Sequence, residues 1–266
     1  MTDSEAWQIS AEAAAVYERC FIPAIFGAWA PRVADAADIG PGDRVLDVAC
    51  GTGVLAREAF RRTSDSGSVA GLDLNAGMLS VAKQNEAGID WHEGDAAALP
   101  FPDRSFTAVV SQFGLMFMPD RAQALREMWR VLCPGGRLAV AVWASLDEAA
   151  GYKTLVDVAA PLVGDDAAAV FAAPFVMGDA DEIQAAAQDA RIAHPQIGTQ
   201  RGEVRFASVD EFVRIEVKGS PLAESLDQPA MDRLAAACEA ALARFVEPSG
   251  AIVMPISAHI LTATKG

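Results

Sequence analysis

Residues 45–59, VLDVACGTGVLAREA, leave this chain few folds to choose from. An apolar run carrying one acid, Asp47, reaches two glycines and passes directly into a helix-forming segment. A strand that turns on glycine into a helix opens a βαβ unit, and the turn then lies at the carboxyl edge of a sheet, where ligands collect. Gly51-Thr52-Gly53-Val54-Leu55-Ala56 fits G-x-G-x-x-A, a tolerated form of the dinucleotide fingerprint.

The alternation continues. Arg44–Val48 is read as the first strand and the helix after the glycines as running to about Arg62. Ser68–Asp73 predicts a second strand, followed by the helix NAGMLSVAKQNEA with Asn75 as its N-cap. A short third strand lies in GIDWHEGD and a fourth, apolar one starts at Phe106. DRAQALREMWRVL puts Leu125, Met128, Trp129 and Leu132 on one helical face. After the turn at Pro134–Gly136, RLAVAVWA is the fifth strand. Strands apolar on both faces, alternating with helices, predict an α/β fold: a doubly wound, mostly parallel sheet covered on both sides.

Ala11–Ala37 is helical, carries Tyr17, Phe21, Phe26 and Trp29, and is broken by Pro23 and Pro31 into two short helices. Beyond Ser145, helices are expected at Leu155–Val163, Asp181–Ala190, Asp210–Val217 and Ala230–Phe245. Glu203–Phe206 and Ala251–Ala263 are expected to be strands. The organisation read from this is a helical cap over residues 1–43, a core over 44–144, and residues 145–266 as part of the same domain with a helical insertion.

Composition narrows the partners. A formal net charge of −15 opposes a nucleic-acid partner, which is held mainly by Lys and Arg. No stretch approaches the ~20 apolar residues that cross a bilayer, and MTDSEAWQIS lacks the basic-then-apolar order of a leader. The four cysteines are scattered without CxxC or a neighbouring histidine, so neither disulfides nor a metal site is expected. A cytoplasmic protein without membrane insertion, monomeric or homodimeric, is the expectation.

Two acids weigh on the ligand. Asp47 precedes the first glycine by four residues, so a diphosphate packed on that loop meets an anion in a partly dry crevice. S-adenosylmethionine, with its ammonium and sulfonium, tolerates or welcomes that charge, and the glycines then let the backbone approach its methionine portion. Asp95, directly after the third strand, can accept from an exocyclic amino group while a backbone N–H reaches the ring, as adenine recognition requires. It can equally cap a helix over AAAL.

Together, VLDVACGTG, GLDLNAGML, GDAAALPFPDRSF and LREMWRVLCPGGRLAV resemble the class I S-adenosylmethionine-dependent methyltransferases, in order and spacing, from about Arg44 to Trp143. The chain is most similar to the type-11 group that includes the ubiquinone and menaquinone C-methyltransferases. Thr107 departs from the acid many relatives carry there, and the tail matches loosely. The resemblance implies seven strands with the last antiparallel. It places Asp47, Ala49, Gly51 and Gly53 at the methionine end, and Asp73 on both ribose hydroxyls. Leu74 and Met78 fall near the adenine, Gly94, Asp95 and Ala96 at its edge, and Ser111, Gln112 and Phe113 beside the sulfonium. Tyr17 or Phe21 would help cover the site.

Methyl transfer needs donor and acceptor held in line, and a base only if the acceptor loses a proton as it attacks. Candidates are few: Gln112, polar at the end of an apolar strand, and His194, before Pro195. His92 and His259 read as structural. The N-terminal aromatics read first as core and second as a lid, and Phe113, Met116, Phe117 and Met118 as an adaptable apolar wall. The expectation is an enzyme that moves a methyl group from S-adenosylmethionine, releasing S-adenosylhomocysteine. Its acceptor is a small apolar or aromatic molecule, a quinone precursor or a natural-product intermediate, lying under the insertion. The rivals are an NAD(P)-dependent oxidoreductase and a non-catalytic S-adenosylmethionine-binding protein.

Overall fold

The structure, a computed structural model, describes residues 10–266; the reading of the first nine residues lies outside it. Helix α1 (Ala11–Ala24) starts where Ser10 Oγ accepts from the Ala13 amide and ends just after Pro23. α2 (Ala30–Ala36) begins with Pro31 in its first turn, where a missing N–H is harmless. The two prolines thus separate two helices, as the sequence predicts.

Next come β1 (Arg44–Val48), α3 (Val54–Thr63), β2 (Ser68–Asp73), α4 (Ala76–Asn85), β3 (Asp90–Glu93), β4 (Phe106–Gln112), α5 (Arg121–Val131) and β5 (Leu132–Trp143). Asn75 caps α4, its Oδ1 accepting from the Met78 amide at 3.0 Å. β1 is buried from Val45 through Val48, as a central parallel strand covered on both faces must be. β5 begins earlier than expected: Leu132 already pairs with Phe106, the register shifts, and pairing resumes at Arg137 beyond the glycines.

The second half supplies α6 (Ala150–Val163), α7 (Asp165–Ala172), α8 (Ala180–Asp189), β6 (Gln196–Phe206), α9 (Val209–Lys218), α10 (Gln228–Ala241) and β7 (Ile252–Thr264). α7 has no counterpart in the sequence reading, because its alanine-rich run carries little periodic contrast. β6 is much longer than the four residues expected, since its exposed, polar first half does not alternate. α10 stops at Ala241, before the 3-10 turn that carries Phe245.

The seven strands form one sheet in the order β3-β2-β1-β4-β5-β7-β6. The first five pair in parallel, and β7 runs antiparallel to both β5 and β6. The strand order reverses between β1 and β4, which opens a crevice at their carboxyl ends. Among the described residues no helix is long and apolar enough to cross a membrane.

Candidate active site

The glycine loop is shaped by backbone conformations that few side chains tolerate. After β1, Ala49, Gly51 and Gly53 all have positive φ, at 57°, 56° and 89°. The two glycines do different work. A Cβ on Gly51 would meet nothing within 4 Å, so this residue opens the loop onto the crevice. A Cβ on Gly53 would stand 2.4 Å from Cη2 of Trp91, so Gly53 makes room for an indole from β3 and does not line the crevice. The expectation that both glycines flank the ligand is corrected on that point.

Asp73, ending β2, ties this loop down. Its Oδ2 accepts from the Gly51 amide at 2.7 Å and its Oδ1 from the Asn75 amide at 2.8 Å. Burial nevertheless holds its carboxyl above the usual range, with those amides pulling the other way. From the far side, Arg57 donates to the Thr52 carbonyl and to Glu18, 2.6 and 2.7 Å, clamping α1 over the glycine turn.

Asp47 is 1 % exposed, and neither carboxylate oxygen has a hydrogen-bond partner among the described residues. Burial pushes its carboxyl well above the ordinary value; the Ala56 amide eases the charge without completing a bond, and Asp73 adds repulsion. Thr52 Oγ1, Asn75 Nδ2 and Gln112 Oε1 are likewise buried and unpartnered. Unsatisfied polar groups gathered in one place call for a ligand.

They gather around a cavity of about 650 Å³ between the strand ends and the helices above. Its charged lining consists of Asp47, Asp73, Asp95, Asp120 and Glu216, with no lysine, arginine or histidine among the described residues. Such a site repels a diphosphate and suits a cation. The residues therefore fit a positively charged nucleoside: a buried acid without a partner, an open glycine, and a loop free of phosphate-binding side chains.

Of the residues expected to contact the cofactor, Tyr17, Asp47, Ala49, Gly51, Asp73, Leu74, Met78, Gly94, Asp95, Ala96, Gln112 and Phe113 line the cavity. Ser111 does not; it is buried in β4, one residue short of the strand end. Asp95 stands exposed after β3, and its Oδ1 accepts from the Ala97 amide in a turn, not at a helix cap. Gln112 donates to the Phe26 carbonyl at 3.1 Å, and its free Oε1 belongs to the cavity wall. His194 is an exposed loop residue outside the lining, which removes it as a base. His259 sits between the Thr199 hydroxyl, 2.8 Å from Nδ1, and the Gly178 carbonyl, 3.1 Å from Nε2, a packed position.

The aromatic helices serve both roles considered for them. Tyr17 and Phe26 stack at 5.2 Å and, with Phe21, face the cavity, whereas Trp29 is fully buried, edge-on to Phe113 and Trp143. Phe113 and Trp143 stack at 3.6 Å between ring centroids. Phe117 and Met118 line the cavity, while Met116 is in the core.

The sequence reading misses a second group of residues altogether. Tyr152 from α6, Phe171 from α7, Phe175 and Glu216 from α9 complete the far wall. Tyr152 donates to Glu216 Oε1 at 2.7 Å. Glu216 alone left a trace in the sequence, as an acid on the apolar side of EFVRIEV.

Comparison with known proteins adds the following. A family model described as a methyltransferase domain (Methyltransf_11) matches residues 46–140. The ubiquinone/menaquinone biosynthesis C-methyltransferase UbiE of Xanthomonas campestris pv. campestris is 38% identical over 191 residues, covering 69% of this chain and 73% of that one. The 2-phytyl-1,4-naphtoquinone methyltransferase of Thermosynechococcus vestitus is 39% identical over 133 residues, 48% of this chain and 59% of that one. Among solved structures, YcgJ of Bacillus subtilis shares the fold, with a TM-score of 0.59 at 19% identity over 89% of this chain and 97% of that one.

Proposed function

The chain belongs to the class I S-adenosylmethionine-dependent methyltransferases of the type-11 group, and from that premise we propose that it methylates the ring of a small, flat, uncharged quinol. The observation that carries this acceptor is the cavity wall. Its surface away from the glycine loop is largely aromatic, and no cationic side chain among the described residues there would recognise a carboxylate or phosphate on the acceptor. The related enzymes named for quinone substrates agree with that chemistry.

In this reading Asp47 and Gly51 receive the methionine portion, Asp73 the ribose hydroxyls, and Leu74, Met78 and Asp95 the adenine. S-adenosylmethionine supplies the methyl group already activated on sulfur. What the chain adds is alignment and dryness: the Tyr17–Phe26 stack and the Phe113–Trp143 pair hold a flat ring against the transfer point and exclude water. Alignment of this kind is worth up to ~7–11 kcal/mol in well-oriented systems. Residues 44–144 form the cofactor half, while the cap within 1–43 and the helices of 145–266 enclose the acceptor. The first nine residues of that cap are outside the described chain.

The test has two arms. In calorimetry S-adenosylhomocysteine binds and NADH does not; tight NADH binding would return the oxidoreductase. With labelled methyl donor, reduced demethylated quinones take up label on carbon, while carboxylated and phosphorylated phenols do not. Label appearing only on non-quinone phenols would replace the quinol by another aromatic acceptor, and no turnover across the panel would favour a binding protein.

A further inference from the structure

Replacing a hydrogen of a quinol by a methyl group leaves one proton over. As the acceptor's electron pair makes the new bond to the methyl carbon, the methyl–sulfur pair stays on the departing thioether. The acceptor's O–H pair stays on its oxygen, which closes to a C=O while the methylated ring carbon still holds its hydrogen. That hydrogen then leaves as a proton and the oxygen is reprotonated, restoring the quinol. One proton is released overall, and the hydroxyl proton lost at transfer needs a base. The acids at the strand ends are poor choices for it. Asp73 is committed to two backbone amides. Asp47 is buried beneath the glycine loop, at the end assigned to the methionine portion. Asp95 and Asp120 are exposed at the rim, and Asp120 caps α5 through the Gln123 amide. The cavity-facing thiol of Cys50 is pushed well up by burial and by both neighbouring aspartates, and so stays protonated.

We propose that Glu216 is the catalytic base, taking the acceptor's hydroxyl proton as the methyl group is transferred, and that Tyr152 is the residue that positions it. This rests on the hydroxylated aromatic acceptor assigned above. Glu216 projects from α9 into the cavity wall opposite the strand ends, beside the aromatic surfaces of Tyr152 and Phe175. Tyr152 is itself fixed, 5 % exposed and edge-on to Phe212. Its hydroxyl holds Oε1 at 2.7 Å, and no other hydrogen bond to Glu216 forms among the described residues, so Oε2 is left to accept from a ligand.

The chemistry of the pair argues against a purely structural role. A glutamine would keep the tyrosine's hydrogen bond without the cost of a buried charge. A carboxylate kept in an apolar wall has its affinity for a proton raised, which is what a base working near neutral pH requires. Burial pushes Glu216 up to about 7, with the Tyr152 hydroxyl pulling it down. The other titratable group reaching it is Tyr17 on α1, whose own hydroxyl is raised by burial and then by Asp73, Glu18 and Glu216. Tyr17, Asp73 and Glu216 all line the same cavity. On α9 itself, Arg214 is occupied by Asp210 and by Asp232 of α10.

The experiment compares wild type with Glu216→Gln and Tyr152→Phe, after S-adenosylhomocysteine affinity has shown all three folded at the cofactor end. The first readout needs no turnover: calorimetry with 2-naphthol and with its methyl ether, which cannot donate a hydrogen bond. Wild type prefers the naphthol about tenfold above pH 7 and loses that preference below pH 6; E216Q shows no pH dependence. The second is quinol methylation. E216Q lowers kcat by about 10²–10⁴-fold with KM little changed and abolishes the rising limb of the pH profile near 7. Y152F, having lost a bond that lowers the carboxyl's pKa, moves that limb to higher pH. Normal kcat and an intact limb in E216Q would overturn the base while leaving the quinol reading standing. A pH-dependent naphthol preference lost in E216Q, in a protein that methylates no quinol, would support the base and discard the quinol.

Discussion

At the glycine-loop end of the cavity, the buried polar groups come from one contiguous run from β1 to β4, and most are held by the backbone. Asp73 grips two amides, Asn75 caps its own helix, and the loop's path follows from three positive φ angles. At the opposite end, Glu216, Tyr152, Phe171 and Phe175 come from separate elements of the second half and meet only through side chains. The first end is a local construction that recurs wherever a strand turns on glycine into a helix. The second exists only once α6, α7 and α9 have packed. Recognition of a common cofactor can be built locally, whereas an acceptor pocket specific to one enzyme is free to vary with its helices.

Gly53→Val should have the largest effect. The substitution places a branched side chain at φ 89° against Trp91 and should cost about 3–5 kcal/mol of stability, combining backbone strain with overpacking. Its denaturation midpoint checks this, with Gly51→Ala as the contrast: a smaller loss of about 1–2 kcal/mol from its own positive φ, with no steric clash, but weakened S-adenosylhomocysteine binding. Equal behaviour of the two variants would erase the division of labour between the glycines.

Asp73→Ala should weaken S-adenosylhomocysteine binding by ~1.5–3 kcal/mol in calorimetry, the range for charge-assisted hydrogen bonds, while naphthol binding persists. Simultaneous loss of both ligands would mean the two ends are one structural unit.

Glu216→Gln acts on stability with a defined sign. The folded-state carboxyl at about 7 lies above the ordinary 4.5. Below 4.5 the group is protonated in both states and imposes no penalty. Between 4.5 and about 7 stability falls as pH rises, and above that the full penalty remains. Glutamine removes the charge, so the variant should gain about 3 kcal/mol over wild type at pH 8 and almost nothing at pH 4.5, read from urea midpoints. A gain that does not vary with pH would place the carboxylate in water.

The smallest effect is expected of Phe175→Leu: S-adenosylhomocysteine affinity unchanged within twofold, with KM for the acceptor raised. A weakened cofactor would dissolve the boundary between the two ends.

The sequence by itself determined the first half of this protein and the cofactor end of its site. Strand–turn–helix alternation, the two glycines, and acids at strand ends are local signals, because backbone conformation depends on residues close in the chain. Even there the sequence could not say that Gly53 faces Trp91 or that Ser111 is buried outside the cavity lining, since those facts depend on which neighbour fills the space. The tertiary structure alone decided the acceptor wall. Residues 152, 175 and 216 are far apart in sequence, and nothing in their individual patterns announces that helix packing will bring a tyrosine hydroxyl onto a carboxylate inside an aromatic chamber. His194 shows the converse: a residue suited to chemistry by type lies on an exposed loop, because whether a group can act is settled by its surroundings in space.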